Sequence, residues 1–246
     1  MVGKTDQANH QYDLNALFTI NNVSGAASQT YDITGFQPGV TLPAVTFLKA
    51  PGFMDGHAQY SNPVLEQRFL AQVINAVMKS KYWRDTAIVI AYDDSDGWYD
   101  HVMPPIANPS ALTTGLAASS DALTAPGMCG VPMAGAVMGR CGYGPRLPLL
   151  VISPFARENY VDHSVTDQSS ILRFIEDNWD LGRIDQAAPK AVAQGGSFDQ
   201  VAGTLDSMFE FGRDEGRGDD RDRDDDGRGR NRVLILDPET GEVVSR

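Results

Sequence analysis

The run Thr86-Ala-Ile-Val-Ile-Ala-Tyr92 has no polar residue at alternate positions, and an adjacent pair of carboxylates, Asp93-Asp94, follows it directly. A strand that is apolar on both faces has to be covered on both faces, which is the situation of a central strand in an α/β sheet. The surrounding pattern agrees with that reading. LPAVTFLKAP, from Leu42 to Pro51, reads as a short buried strand, and LPLLVISP, from Leu147 to Pro154, as another. Between the first two, VLEQRFLAQVINAVMKSKYW reads as a helix that starts just after Ser61-Asn62-Pro63, with Leu65, Phe69, Val73, Ala76 and Val77 forming a core stripe that faces a sheet. DQSSILRFIEDNWDL reads as a second amphipathic helix with Ser169 or Ser170 at its N-cap. The expected fold class is therefore α/β, a mostly parallel sheet with helices on both faces.

Residues 1–40 are polar, and only Leu17–Ile20 resembles a packed segment, so this stretch needs another element to lean on. Met103 to Arg146 is rich in loop residues. Arg213 to Arg232 holds seven arginines and eight acidic residues in twenty, with no aliphatic side chain, the composition of a solvated linker. RVLILDPETGEVV at the end reads either as a small hairpin or as a terminal edge strand. The expected organisation is one main domain over 1–210, a disordered linker over 211–232 and a short β segment over 233–246.

With 32 acidic and 20 basic side chains, a net charge of −12 disfavours a nucleic-acid backbone as partner. No stretch reaches the roughly 18–20 apolar residues of a membrane span, and the opening MVGKTDQANHQYD lacks a signal-peptide pattern. Cys129 and Cys141 lie twelve apart in a Gly-rich segment and are either a disulfide closing a small loop or two free thiols. Two cysteines without a nearby histidine do not make a zinc site.

The chemistry concentrates at Asp93-Asp94-Ser95-Asp96-Gly97, because open α/β sheets place ligands at the carboxyl ends of their strands. Neighbouring carboxylates repel one another unless a cation neutralises them or water solvates them. The cluster therefore reads either as part of a site for a hard divalent cation (Ca²⁺, Mg²⁺ or Mn²⁺) or as an Asp-rich turn. His57, between the first strand and the first helix, is a candidate general acid or phosphate contact. His101 in Trp98-Tyr99-Asp100-His101 is near enough in sequence, like Asp96, to support the aspartates indirectly. His163 reads as a hydrogen-bonded structural histidine and His10 as part of the polar arm. Asp222, Asp224, Asp226 and Gly227 match the first half of a calcium loop, but Val233 occupies the position of its closing Glu. No G-x-S-x-G elbow, GK[ST] phosphate loop or G-x-G-x-x-G is present, and no nucleophile is evident.

The strings AYDDSDGWYDHV, LPAVTFLKAPGFMDGHAQYSNP and RCGYGPRLPLLVISPFARENYVDHSVTDQSSILRFIEDNW together resemble the C-terminal half of the bacterial phosphoesterase family, the phospholipases C and related acid phosphatases, over roughly residues 5–180. The resemblance implies an alkaline-phosphatase-like α/β fold and hydrolysis of phosphate esters or phospholipids by way of a metal-bound Ser or Thr nucleophile. It implies that Asp93 and Asp94 ligate the active-site metal and that His57 contacts the phosphoryl group. It further implies a secreted or periplasmic protein, which favours the Cys129–Cys141 disulfide. The remaining metal ligands and the nucleophile of that family precede the point where this sequence starts. The fold is accordingly expected to be incomplete and the isolated chain to be inactive or nearly so. The alternative is a non-catalytic interaction protein that pairs, or self-associates, through an exposed sheet edge.

Overall fold

A computed structural model describes residues 12–23, 30–95, 100–102, 104, 143–185, 197–211 and 234–245. The chain divides into two compact units, one formed by residues 1–88, 152–155 and 214–246, the other by 89–151 and 156–213.

The first unit is organised around a single helix. α1 (Pro63–Met78) starts where the sequence indicates: Asn62 caps it by accepting the Leu65 N–H at 3.0 Å, and Pro63 occupies the first turn, where a missing N–H costs nothing. Phe69, Val73 and Ala76 recur at helical spacing and pack with Phe18, Ile33 and Met54 into the core. The polar arm leans on this helix as a hairpin. β1 (Phe18–Val23) and β2 (Thr30–Phe36) pair antiparallel with a bulge after Thr19, and Phe18 stacks on Phe36 with ring centroids 5.1 Å apart.

Polar residues on α1 fix both hairpins of this unit. Gln72, buried, accepts the Ile33 N–H at 3.1 Å through its side-chain oxygen, and Arg68 pairs with Asp32 and Glu239. Asn75 acts as a one-residue strand: its amide donates to the Leu236 carbonyl at 2.7 Å and accepts the Leu236 N–H at 2.9 Å. That pairing satisfies the edge of the closing hairpin, whose strands lie further along the chain at Ile235–Leu236 and Val243–Ser245.

Two expectations are corrected here. Residues 42–51 form no strand; Phe47 is 80 % exposed and Leu48 is also exposed. A strand exists only where a neighbour completes its ladder, no described strand runs beside this segment, and Pro43 and Pro51 have no N–H to offer.

The second correction concerns the sheet. β3 (Ile88–Ala91) pairs with β4 (Leu149–Ile152), and the last three residues of β3 and the first three of β4 fall in the second unit. No residue of either strand is fully buried, so β3 is not a central strand covered on both faces. Among the described residues there are three two-stranded sheets, that pair and the two antiparallel hairpins, rather than one wide, mostly parallel sheet. Among the described residues each strand therefore has a single neighbour, and the residues of β3 are only partly buried or exposed.

In the second unit, α2 (Ser169–Trp179) packs against a short 3₁₀ turn at Phe198–Gln200. Phe174 stacks on Phe209 at 5.1 Å, beside the buried Ala202 and Leu205. Neither Ser169 nor Ser170 is the cap of α2. Asp167 accepts the Ser169 N–H at 2.7 Å, while the buried Ser170 hydroxyl accepts the Asp167 N–H at 3.0 Å, a reciprocal arrangement equivalent to a capping box. β5 (Ile235–Leu236) and β6 (Val243–Ser245) complete the described elements. Among the described residues no helix is long and apolar enough to cross a membrane.

Candidate functional site

β3 ends at the Asp-Asp-Ser sequence because these residues prefer turns, where their side chains compete for backbone N–H groups. Asp93 and Asp94 are exposed at that end. Gln168, just before α2, donates from its side-chain amide to the carbonyls of Tyr92 at 3.1 Å and Asp93 at 2.6 Å. The capping box that starts α2 thus also fixes the residue that pins the end of β3.

A cavity of about 650 Å³ opens here, lined by Tyr92, Asp94, Ser95, Asp100, Arg146 and the Leu147–Pro148 pair. Its volume lies within the range of roughly 300–1,000 Å³ common for small-molecule sites. Asp100 and Arg146 form a two-pronged pair on its wall, Nε to Oδ2 and, at 2.9 Å, Nη2 to Oδ1. The Arg146 hydrogen bond holds the Asp100 carboxyl far below the ordinary carboxylate range, and Asp100 in turn raises the Arg146 pKa.

His57 belongs to the first unit, whereas Asp93 and Asp94 belong to the second. It sits in the turn between Gly52–Met54 and α1, where its N–H donates to Asp55 Oδ1 at 3.0 Å and its ring stacks on Tyr60 at 4.2 Å. The Nδ1 faces the Ala58 carbonyl, which requires a proton on that nitrogen. Gly56, at φ +80°, makes this turn possible: a Cβ there would run into the Glu66 carboxylate.

His101 and His163 are exposed. Asp96, His10, Cys129, Cys141 and the calcium-loop-like aspartates lie outside the described residues.

The sequence did not single out Asp100, Arg146 or Gln168. Arg146 is 46 positions from its partner, and only the pairing of β3 with β4 brings their flanks together. A sequence signal did exist for Arg146, a lone cation held between Pro145 and an apolar run.

Two adjacent carboxylates are suitable donors for a hard divalent cation, which takes six or more oxygens. Among the described residues, however, no three His, Cys, Asp or Glu side chains converge as a metal site, so the described donors alone do not fit a complete cation shell.

Comparison with known proteins adds the family. The chain is 34 % identical over 180 residues to a non-hemolytic phospholipase C of Burkholderia pseudomallei, covering 72 % of this chain and 24 % of that protein. It is 29 % identical over 226 residues to a hemolytic phospholipase C of Pseudomonas aeruginosa, covering 87 % and 28 %. With phospholipase C B of Mycobacterium tuberculosis it shares 33 % identity over 129 residues, covering 52 % and 22 %. The matched part spans about a quarter of the length of these relatives. The sequence profile of the phosphoesterase family matches residues 7–182, which takes in β3, the aspartate pair, the cavity wall and α2, and the chain belongs to the phosphoesterase family.

Proposed function

We propose that the chain carries the carboxylate end of a phosphate ester hydrolase, with a phospholipid as the substrate class. The observation that carries this reading is the placement of Asp94 at the end of β3 on the wall of a cavity large enough for an organic phosphate. Membership of the phosphoesterase family and relatives named phospholipase C support it.

In this reading Asp93 and Asp94 hold a divalent cation (Ca²⁺, Mg²⁺ or Mn²⁺) together with donors outside the described residues. The cation would supply Lewis-acid polarisation of the phosphoryl oxygens. Gln168 keeps the two carboxylates at the strand end. A phosphoryl contact at His57 is carried by the family resemblance alone. The alkaline-phosphatase-like sheet and export from the cytoplasm belong to the same reading.

A second reading, a binding module without catalysis, is favoured by the lack of a third metal donor among the described residues. Assaying the 246-residue chain on a chromogenic phosphodiester with Mg²⁺, Mn²⁺ or Ca²⁺ tests whether it catalyses by itself; divalent-cation binding that Asp93→Asn weakens favours the first reading, and its absence the second. Because no nucleophile is evident in the sequence, we expect no turnover that distinguishes the parent from Asp93→Asn. Turnover that Asp93→Asn abolishes would instead show that the chain holds a complete catalytic site.

A further inference from the structure

We infer that Arg146 is an oxyanion-binding residue of the cavity in the second unit, taking the phosphoryl oxygens of an ester, and that Asp100 is the positioning residue that holds its guanidinium there. The inference rests on the phosphate ester reading above and extends it to a cation of the protein itself.

Three observations carry it. The first is the allocation of donors. A guanidinium has five N–H groups, and Asp100 engages only Nε and Nη2; Nη1 has no hydrogen-bond partner among the described residues. The second is the asymmetry of burial. The Asp100 side chain is 15 % exposed and that of Arg146 is 70 % exposed, so the carboxylate is the sheltered anchor and the guanidinium the presented group. The third is the cavity itself, in which Arg146 shares the wall with Ser95, a hydroxyl donor, and with the apolar Leu147–Pro148 pair that would meet the organic part of an ester.

An exposed ion pair contributes little to stability. What the two-pronged geometry does provide is orientation: a long side chain with many rotamers is held with one edge turned away from its partner. That edge is planar, permanently charged and suited to two oxygens of a tetrahedral anion.

Asp94, on the same cavity, carries the sign of the anion and repels it. An anion in this cavity is therefore driven toward the Arg146 side, and a cation at Asp94 would strengthen its binding. The cavity thus has an acidic side at Asp94 and presents the Arg146 guanidinium on the other.

The test is calorimetric titration of inorganic phosphate into the full chain, with and without Mg²⁺, for the parent, Arg146→Gln, Arg146→Lys and Asp100→Asn. Circular dichroism on each variant checks that it is folded. Arg146→Gln is expected to weaken phosphate binding by about tenfold or more, the magnitude of a lost charge-assisted hydrogen bond. Arg146→Lys, which keeps the charge and the fold but not the fork, should fall between it and the parent. Asp100→Asn should also weaken binding, although Asp100 itself would not touch the anion. Failure of the parent to bind phosphate, or an Arg146→Gln affinity within twofold of the parent, overturns the inference. Titration of Mn²⁺ into the Asp93→Asn/Asp94→Asn variant keeps the two ideas apart. Unchanged Mn²⁺ binding there removes the cation reading but leaves Arg146 intact, and an unaffected Arg146→Gln removes only the anion role.

Discussion

Replacing Phe18 with alanine is expected to destabilise the first unit by about 3–5 kcal/mol, the usual cost of deleting a buried aromatic ring from a core that cannot fully collapse. Phe18 has no exposed surface and joins β1 to α1 through Ile33, Met54, Phe69 and Val73, while stacking on Phe36. The loss therefore empties the centre of the cluster rather than its rim. Urea denaturation followed by tryptophan fluorescence measures it, since Trp83 is buried in the same unit. Phe47→Ala is the matched control. Its ring is 80 % exposed, and its removal should change stability by no more than about 0.5 kcal/mol. Equal effects from the two substitutions would mean that the hairpin does not pack on α1 as described.

In the second unit, Glu176→Gln is expected to raise stability at neutral pH, because burial and the Asp199 charge oppose ionisation of Glu176 more strongly than its Arg183 partner favours it. Glu176 and Asp199 are both buried, and Asp199 accepts the Ile184 N–H at 2.9 Å. Burial, and then the Asp199 charge, push the Glu176 pKa above its ordinary 4.5, against the pull of Arg183. Burial alone would raise Asp199 as well, but hydrogen bonds from Ser197 and from backbone N–H groups, together with that of Glu176, hold it below its ordinary 3.8.

The signs follow from linkage. Below about pH 4.5 Glu176 is protonated in both the folded and unfolded chain, and its proton costs nothing there. As pH rises above that value the unfolded chain releases its proton first, so stability falls until the folded pKa is passed. Asp199 behaves in the opposite sense: its contribution is present above about pH 3.8 and is lost as pH falls through its depressed folded pKa. Glutamine keeps a donor for Asp199 and has no proton to lose. Thermal melts of the variant should therefore lose the decline on the alkaline side and keep the acid limb. A variant that melts below the parent at pH 8 would show Glu176 to be ionised and stabilising through Arg183.

How legible this was from sequence depended on the range of the determining interaction. The start and core face of α1 could be read because Asn62-Pro63 and the stripe Phe69, Val73 and Ala76 are local, whereas the helix was read on to Trp83 and α1 ends at Met78. β3 was located but its surroundings were misjudged: an apolar run states a demand for burial and does not itself supply the neighbours. The same reason explains residues 42–51, apolar enough for a strand yet part of no strand ladder among the described residues. β2 was missed because Thr30–Phe36 lies within the polar arm of residues 1–40, and its pairing with Phe18–Val23 is what makes it a strand. At the site, Asp93 and Asp94 stood out because adjacency is visible in one dimension. Arg146, Asp100 and Gln168 did not, because each acquires its meaning from a partner 46 or more positions away. Buried polar side chains such as Gln72 and Asn75 were hidden for a related reason: a helix pattern marks them as solvent-facing, and only the hairpins they bind reveal otherwise.

The measurement that bears most directly on the account is Mn²⁺ binding by the 246-residue chain, followed by electron paramagnetic resonance. Free aqueous Mn²⁺ gives a sharp signal that is lost on binding, which makes the bound fraction countable. The account predicts that the parent binds the ion and that Asp93→Asn/Asp94→Asn, with an unchanged circular dichroism spectrum, binds it about tenfold or more weakly, as removal of charged oxygen donors requires. Binding of equal strength in the parent and the double variant, or no binding by either, would contradict the assignment of the aspartate pair at the end of β3 as the centre of the site.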